Sequence, residues 1–249
     1  MSNHVLQVEG LEKSFGSLIV TDNVNIRLPI GCRHGLIGPN GAGKTTLFNL
    51  IAGDITPDAG HVLLNGRDIT SYSPNTRARA GLGRSFQHNN LFRQLTVREN
   101  LFMACALKQR MSHVFWRQAK KIKSIAEEAE VIAEQLNLSI YLEAEVNTIS
   151  YGTQRHLEIG LALAQDPSVL LLDEPTAGMS PEETIDILNL LNSLPSHLTL
   201  LIIEHDTDVI FSVAEKITVL DFGRVLLEGS PDEIRSSPEV RRRYLGSAY

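Results

Sequence analysis

The chain holds only two cysteines in 249 residues, Cys32 and Cys105, far apart and without a Cys-x-x-Cys spacing. Neither a disulfide framework nor a zinc site is indicated, and a reducing cytoplasm fits this usage. Long apolar runs are also missing, since none approaches the roughly 18 residues that a membrane-spanning helix requires. Met1-Ser2-Asn3-His4 carries no basic-then-apolar signal, so any membrane contact is expected to pass through partner proteins. Positive charge is not in excess either. The formal net charge is −6, which gives no global attraction for nucleic acid. There is no internal repeat and no low-complexity tract.

A hydrophobic content of 43% is enough to bury the core of one large α/β domain, here residues 1–249, with room for a smaller subdomain. Its most specific stretch is Gly38-Pro39-Asn40-Gly41-Ala42-Gly43-Lys44-Thr45-Thr46. The spacing Gly-x-x-x-x-Gly-Lys-Thr lets a loop free of Cβ obstruction wrap its backbone N–H groups around a di- or triphosphate at a helix N-terminus. Lys44 would reach the β and γ phosphates and Thr45 would hold Mg²⁺. Average composition yields on the order of 0.01 chance matches in a chain this long. Cys32 to Ile37 reads as the strand before the loop. Leu47, Leu50 and Ile51 mark a helix after it. Nucleotide binding is the fixed point.

Residues 5–8 and 18–28 alternate as half-exposed antiparallel strands do, with Phe15 expected in the turn between them. Its ring suits either base stacking or packing. Residues 61–66 read as a strand ending in an Asn-Gly turn. The basic stretch 74–84, with Arg77, Arg79 and Arg84, reads as a solvated helix face without chemistry. Gln87 follows in a polar cluster. Thr96 and Glu99 form a capping box opening a helical insertion over about 95–147, in which residues 119–136 make an amphipathic helix.

Ser150 is placed to cap the helix that follows Ser150-Tyr151-Gly152-Thr153-Gln154. Ser168 to Asp173 is then a buried parallel strand delivering Asp173 and Glu174 to its C-terminal edge. Asp173 would engage the Mg²⁺ shell, and Glu174 would be general base for an attacking water. Ser180-Pro181-Glu182-Glu183 is a second capping box. Residues 198–203 form another buried strand, ending at Glu204-His205-Asp206, where His205 could sense or polarise a γ-phosphate. A hairpin over 216–228 and a helix capped by Ser230 close the chain.

In order, the phosphate loop, Gln87, Ser150 to Gln154, Asp173-Glu174 and His205 resemble the ATP-binding subunits of ABC transporters over nearly the whole chain. That resemblance implies an α/β fold: a P-loop NTPase core with a parallel sheet, an N-terminal antiparallel β subdomain and an inserted α-helical subdomain. It makes ATP and Mg²⁺ the ligands, Phe15 the base-stacking aromatic, and Gln87 a residue at the nucleotide and its Mg²⁺. Ser150, Tyr151, Gly152, Thr153 and Gln154 match the signature, and His205 the switch. The sequence departs from the family's usual form at Ile149, at Tyr151-Gly152-Thr153 and at Ser180. These variants, with Gly35 to Pro39, Phe115-Trp116-Arg117 and Arg243-Tyr244-Leu245-Gly246, are similar to the branched-chain amino acid importer branch.

The resemblance further implies a homodimer, or a heterodimer with a second ATP-binding subunit, in which each signature meets the ATP of the facing chain. Transmembrane permease subunits would dock near Gln87 and the insertion. Attachment would be indirect, at the cytoplasmic face of the plasma membrane, with an extracytoplasmic solute-binding protein in the full complex and no direct nucleic acid. A soluble ABC ATPase acting on DNA or ribosomes is the competing reading, yet such proteins carry long coiled-coil insertions or fused ATPase domains, and this chain has neither. A phosphoryl-transfer kinase would need neither signature nor switch. An ABC subunit serving another cargo is the third alternative.

Overall fold

A computed structural model of the chain describes residues 4–85, 91–108 and 115–245. In chain order the elements are β1 (His4–Phe15), β2 (Leu18–Pro29), β3 (Arg33–Ile37), α1 (Lys44–Ala52), β4 (Ala59–Leu64), β5 (Arg67–Asp68), α2 (Pro74–Arg79) and β6 (Leu82–Arg84). Helices α3 (Val97–Lys108), α4 (Phe115–Gln135) and α5 (Tyr151–Leu163) follow. Then come β7 (Val169–Asp173), α6 (Pro181–Ser193), β8 (Thr199–Ile203), α7 (Thr207–Val213), β9 (Lys216–Asp221) and β10 (Arg224–Gly229). Two compact units result. One contains Met1–Arg84, Ser168–Pro175 and Pro195–Tyr249; the other contains Ser85–Pro167 and Thr176–Leu194.

The first unit carries both sheets. An antiparallel sheet runs β2-β1-β4-β5, and a six-stranded sheet runs β10-β9-β3-β8-β7-β6, parallel except for β10. The antiparallel strands alternate burial, as one-faced strands do. Strands β7 and β8 are buried at every position, which explains their unbroken aliphatic runs. Helix α1 packs Leu47, Phe48, Leu50 and Ile51 into a core shared with Leu6, Leu36 and Leu171. Burying each such side chain contributes about 1.5–3 kcal/mol relative to exposure. Because β3, β8 and β7 are parallel neighbours, the segments after them emerge along one edge.

Two expectations need correction. Phe15 is the last residue of β1, paired with Leu18, and not a turn residue. Strand β1 is longer than its alternating core because register shifts between Val8 and Lys13 carry the pairing through Gly10. The basic stretch is not a solvated face. Arg77 is 1% exposed, and its guanidinium donates to the carbonyls of Leu50 (2.7 Å), Ile51 (2.6 Å), Thr70 (2.6 Å) and Tyr72 (3.1 Å). Two of those carbonyls close the C-terminal end of α1, where the helix dipole offers partial negative charge in place of water. Burial still pushes Arg77 down to about 10, against the pull of Asp68. Arg84 lies with its guanidinium 4.8 Å from the Phe48 ring centre and donates to Asp54 and Asn49. Of the three arginines, only Arg79 is exposed.

The second unit is helical. Thr96 and Glu99 exchange the capping-box bonds before α3. Helix α4 buries Ile125, Ala129, Ile132 and Ala133 at the expected spacing, while Ile122 remains exposed.

Candidate functional site

The phosphate loop links β3 to α1. Gly38, Gly41 and Gly43 adopt φ of 149°, 80° and 99°, and a Cβ on Gly38 or Gly43 would lie 2.2 Å from the Leu220 carbonyl or 2.4 Å from the Val20 carbonyl. Only glycine allows that approach. The loop is braced from behind, since Gly223 N–H donates to the Ala42 carbonyl at 2.9 Å. Helix α1 starts at Gly43 with no side-chain cap and no acid in its first turn. Its N–H groups therefore face outward with the positive end of the dipole and no carboxylate from their own helix. Lys44 is 5% exposed, and its ammonium donates to the carbonyls of Gly38 (2.7 Å) and Pro39 (3.1 Å), so it is folded over the loop. Burial lowers its pKa, and Glu174 and Asp173 are close enough to push it back up.

Asp173, 1% exposed, ends β7 and Glu174 follows it. Glu174 has φ 47° and donates its N–H to the Ile203 carbonyl at 2.9 Å, a bond that holds the left-handed turn and ties the ends of β7 and β8 together. Its Oε1 lies 2.9 Å from Nε2 of His205, two residues beyond β8. An imidazole N–H at that nitrogen would fix the carboxylate's orientation, which suits a base that must present one oxygen to a water.

The signature stretch opens α5 in the helical unit. Ser150 Oγ accepts from Thr153 N–H at 3.1 Å, as its capping position predicts. Gly152 N–H donates to Oε1 of Glu183 at 3.0 Å, a partner that sequence reasoning had assigned only to its own helix.

With that geometry in view, comparison with known proteins decides the family: the family model described as ABC transporter matches residues 21–177. The chain belongs to the ABC transporter family, as an ATPase subunit. It is 37% identical to the high-affinity branched-chain amino acid transport ATP-binding protein LivG of Escherichia coli strain K12, over the full length of both chains. It is 35% identical to the lipopolysaccharide export system ATP-binding protein LptB of Acidithiobacillus ferridurans, over 99% of each. Among solved structures it is similar to the ADP conformation of MJ1267, an ATP-binding cassette of an ABC transporter, with a TM-score of 0.85, 31% identity and coverage of 99% of this chain and 100% of that one.

In this ABC ATPase the first unit brings together the phosphate loop, Asp173, Glu174 and His205, while Ser150 to Gln154 lie in the second. Thr45 is exposed in the first turn of α1 and Thr46 is half-buried beside it. Phe15 is 51% exposed, with Lys13 Nζ 5.6 Å from its ring centre. Gln87 lies outside the described residues, as do the side chains of Phe115, Trp116 and Arg117 and residue Gly246. No group of three His, Cys, Asp or Glu suited to a metal occurs among the described residues. A buried carboxylate and an exposed hydroxyl do fit Mg²⁺, which keeps waters and takes phosphate oxygens alongside one or two protein groups. Two long-range contacts tie the C-terminal segment to the strand ends: Tyr244 O–H donates to the His205 carbonyl at 3.4 Å, and Arg243 pairs with Asp221.

Proposed function

We propose that this ABC ATPase works as a single ATP-binding domain, with its helical insertion, that hydrolyses Mg-ATP between two facing chains and powers import of branched-chain or other hydrophobic amino acids. The observation that carries the reading is the Glu174–His205 contact on the strand edge next to Lys44. Residues 38–46 cradle the phosphates, with Lys44 turning from its loop carbonyls to the β and γ oxygens. Thr45, Gln87 and Asp173 are the residues that would hold Mg²⁺, which would supply neutralisation of charge on those oxygens. Glu174 takes the proton of the attacking water, His205 orients that carboxylate, and Phe15 stacks on the base. Ser150 and the first turn of α5 complete the γ-phosphate site of the facing chain, which is a second copy or a related ATP-binding subunit.

No described helix is long and apolar enough to cross a membrane. Attachment at the cytoplasmic face would run through permease subunits. An extracytoplasmic solute-binding protein would deliver the cargo. The cargo rests on the full-length similarity to LivG, whereas the similarity to LptB supports a different cargo on the same engine. Replacing Glu174 with Gln is expected to lower hydrolysis by roughly 10²–10⁴-fold while leaving ATP binding intact. Size-exclusion chromatography should then show an ATP-dependent dimer. A variant that hydrolyses normally and stays monomeric with ATP would refute both roles. Uptake of labelled leucine by vesicles holding the co-purified membrane subunits tests the cargo, and transport of another solute class instead would reject it.

A further inference from the structure

Glu183 holds the first turns of two helices at once. Its Oε2 accepts from Ser180 N–H at 3.1 Å, which completes the capping box of α6, and its Oε1 accepts from Gly152 N–H at 3.0 Å on α5. Gly152 permits this because a Cβ there would lie 2.8 Å from the same Oε1. Helix α5 is already capped by Ser150 through Thr153 N–H, so the second carboxylate contact is not needed to start the helix. Its consequence is electrostatic. A full negative charge sits on the positive end of the helix and occupies one of the N–H groups an incoming anion would use.

The surroundings strengthen this. Ser150, Gly152 and Thr153 line a cavity of about 360 Å³ together with Glu183 and Asp186. Asp186 is three residues along α6 from Glu183, on the same helix face. Among the described residues, neither lysine nor arginine lines that cavity. The surface expected to receive a phosphate thus carries two carboxylates, beside His156 and the Ser150 and Thr153 hydroxyls, which lie 3.0 Å apart.

We propose that Glu183 is a built-in brake on ATP-driven pairing: its carboxylate, with Asp186 beside it, repels the terminal phosphate held by the facing chain and limits how tightly two chains close. The inference rests on the reading of Ser150 as a trans phosphate contact. At separations of about 5–7 Å through partly solvated protein, one like charge shifts an equilibrium constant by roughly three- to thirtyfold. A purely structural cap would act in the opposite sense, because losing it loosens α5 and weakens pairing.

The test titrates ATP against dimer formation in full-length Glu174→Gln protein, with and without Glu183→Gln, which removes the charge but keeps an acceptor for Gly152 N–H. The expected result is a midpoint lowered by roughly three- to thirtyfold, a gap that narrows in about 0.5 M salt, and unchanged affinity of the monomer for a fluorescent ADP analogue. An unchanged or raised midpoint would leave Glu183 as a cap and overturn the brake. Should Glu183→Gln fold poorly, Asp186→Asn, which touches no cap, is expected to lower the midpoint by a smaller factor, and failure to do so is equally fatal. If Glu174→Gln protein forms no dimer at any ATP concentration, the trans-site reading has failed and the brake falls with it.

Discussion

Helices α1 and α5 both begin at glycine-bearing motifs assigned to phosphate, and their first turns are built in opposite ways. At α1 the chain supplies no side-chain cap and no acid, glycines clear the approach, and Lys44 waits over the loop. At α5 two N–H groups are satisfied from within the chain, by Ser150 and by Glu183. The first is an uncapped helix end open to an anion, and the second is a helix end already satisfied within its own chain. An ATPase that opens and closes around nucleotide benefits from that difference. In the proposed two-chain cycle, the nucleotide would stay with the chain whose loop requires it, and the facing chain could let go.

The largest expected effect breaks the first of these ends. Gly43→Ala places a Cβ against the Val20 carbonyl at a φ that side chains disfavour, and should cost at least about 2 kcal/mol in urea unfolding or abolish nucleotide binding outright. Next, Lys44→Ala removes a charge-assisted contact and should weaken Mg-ATP binding at least about tenfold by calorimetry, with unchanged affinity locating the nucleotide elsewhere. Ser150→Ala removes only a cap within its own chain and should cost about 0.5–2 kcal/mol of stability. If its hydroxyl also meets the facing chain's ATP, hydrolysis collapses in the folded variant, and mixing it with Lys44→Ala protein restores part of the activity through one intact composite site. Full activity of Ser150→Ala alone would end the trans assignment. Smallest of all, Gly152→Ala meets only the Glu183 side chain and gains helix propensity, so its unfolding free energy should change by less than about 1 kcal/mol. If Gly152→Ala proved as destabilising as Gly43→Ala, the contrast between the two ends would disappear.

What was legible in the sequence is what is local. The phosphate loop, the aliphatic run of β7 ending in Asp173, and the caps by Ser150, Ser180 and Ser230 each involve residues a few positions apart, so spacing alone reveals them. What escaped joins distant segments. The Arg77 partners at Leu50 and Ile51 are 27 and 26 residues away, and Gly152 is 31 residues from Glu183. A charged run looks solvated until the fold supplies carbonyls to meet it, and a capping glutamate looks spent until its second oxygen finds another helix. Phe15 was misplaced for a related reason, because register shifts let β1 run past a glycine that ordinarily marks a turn.

Arg77 has a mechanical consequence as well. Helix α1 is nine residues long, about 13.5 Å at 1.5 Å per residue, with the phosphate loop at one tip and the Arg77 guanidinium riveted across the other. A short rod with a loose far end would absorb a push at its tip by unwinding its last turn. With its last carbonyls gripped by an arginine that also holds Thr70 and Tyr72, this rod is end-stopped. A displacement at the phosphate loop would then reach the chain that leaves β5, through the one guanidinium that holds Leu50, Ile51, Thr70 and Tyr72 together.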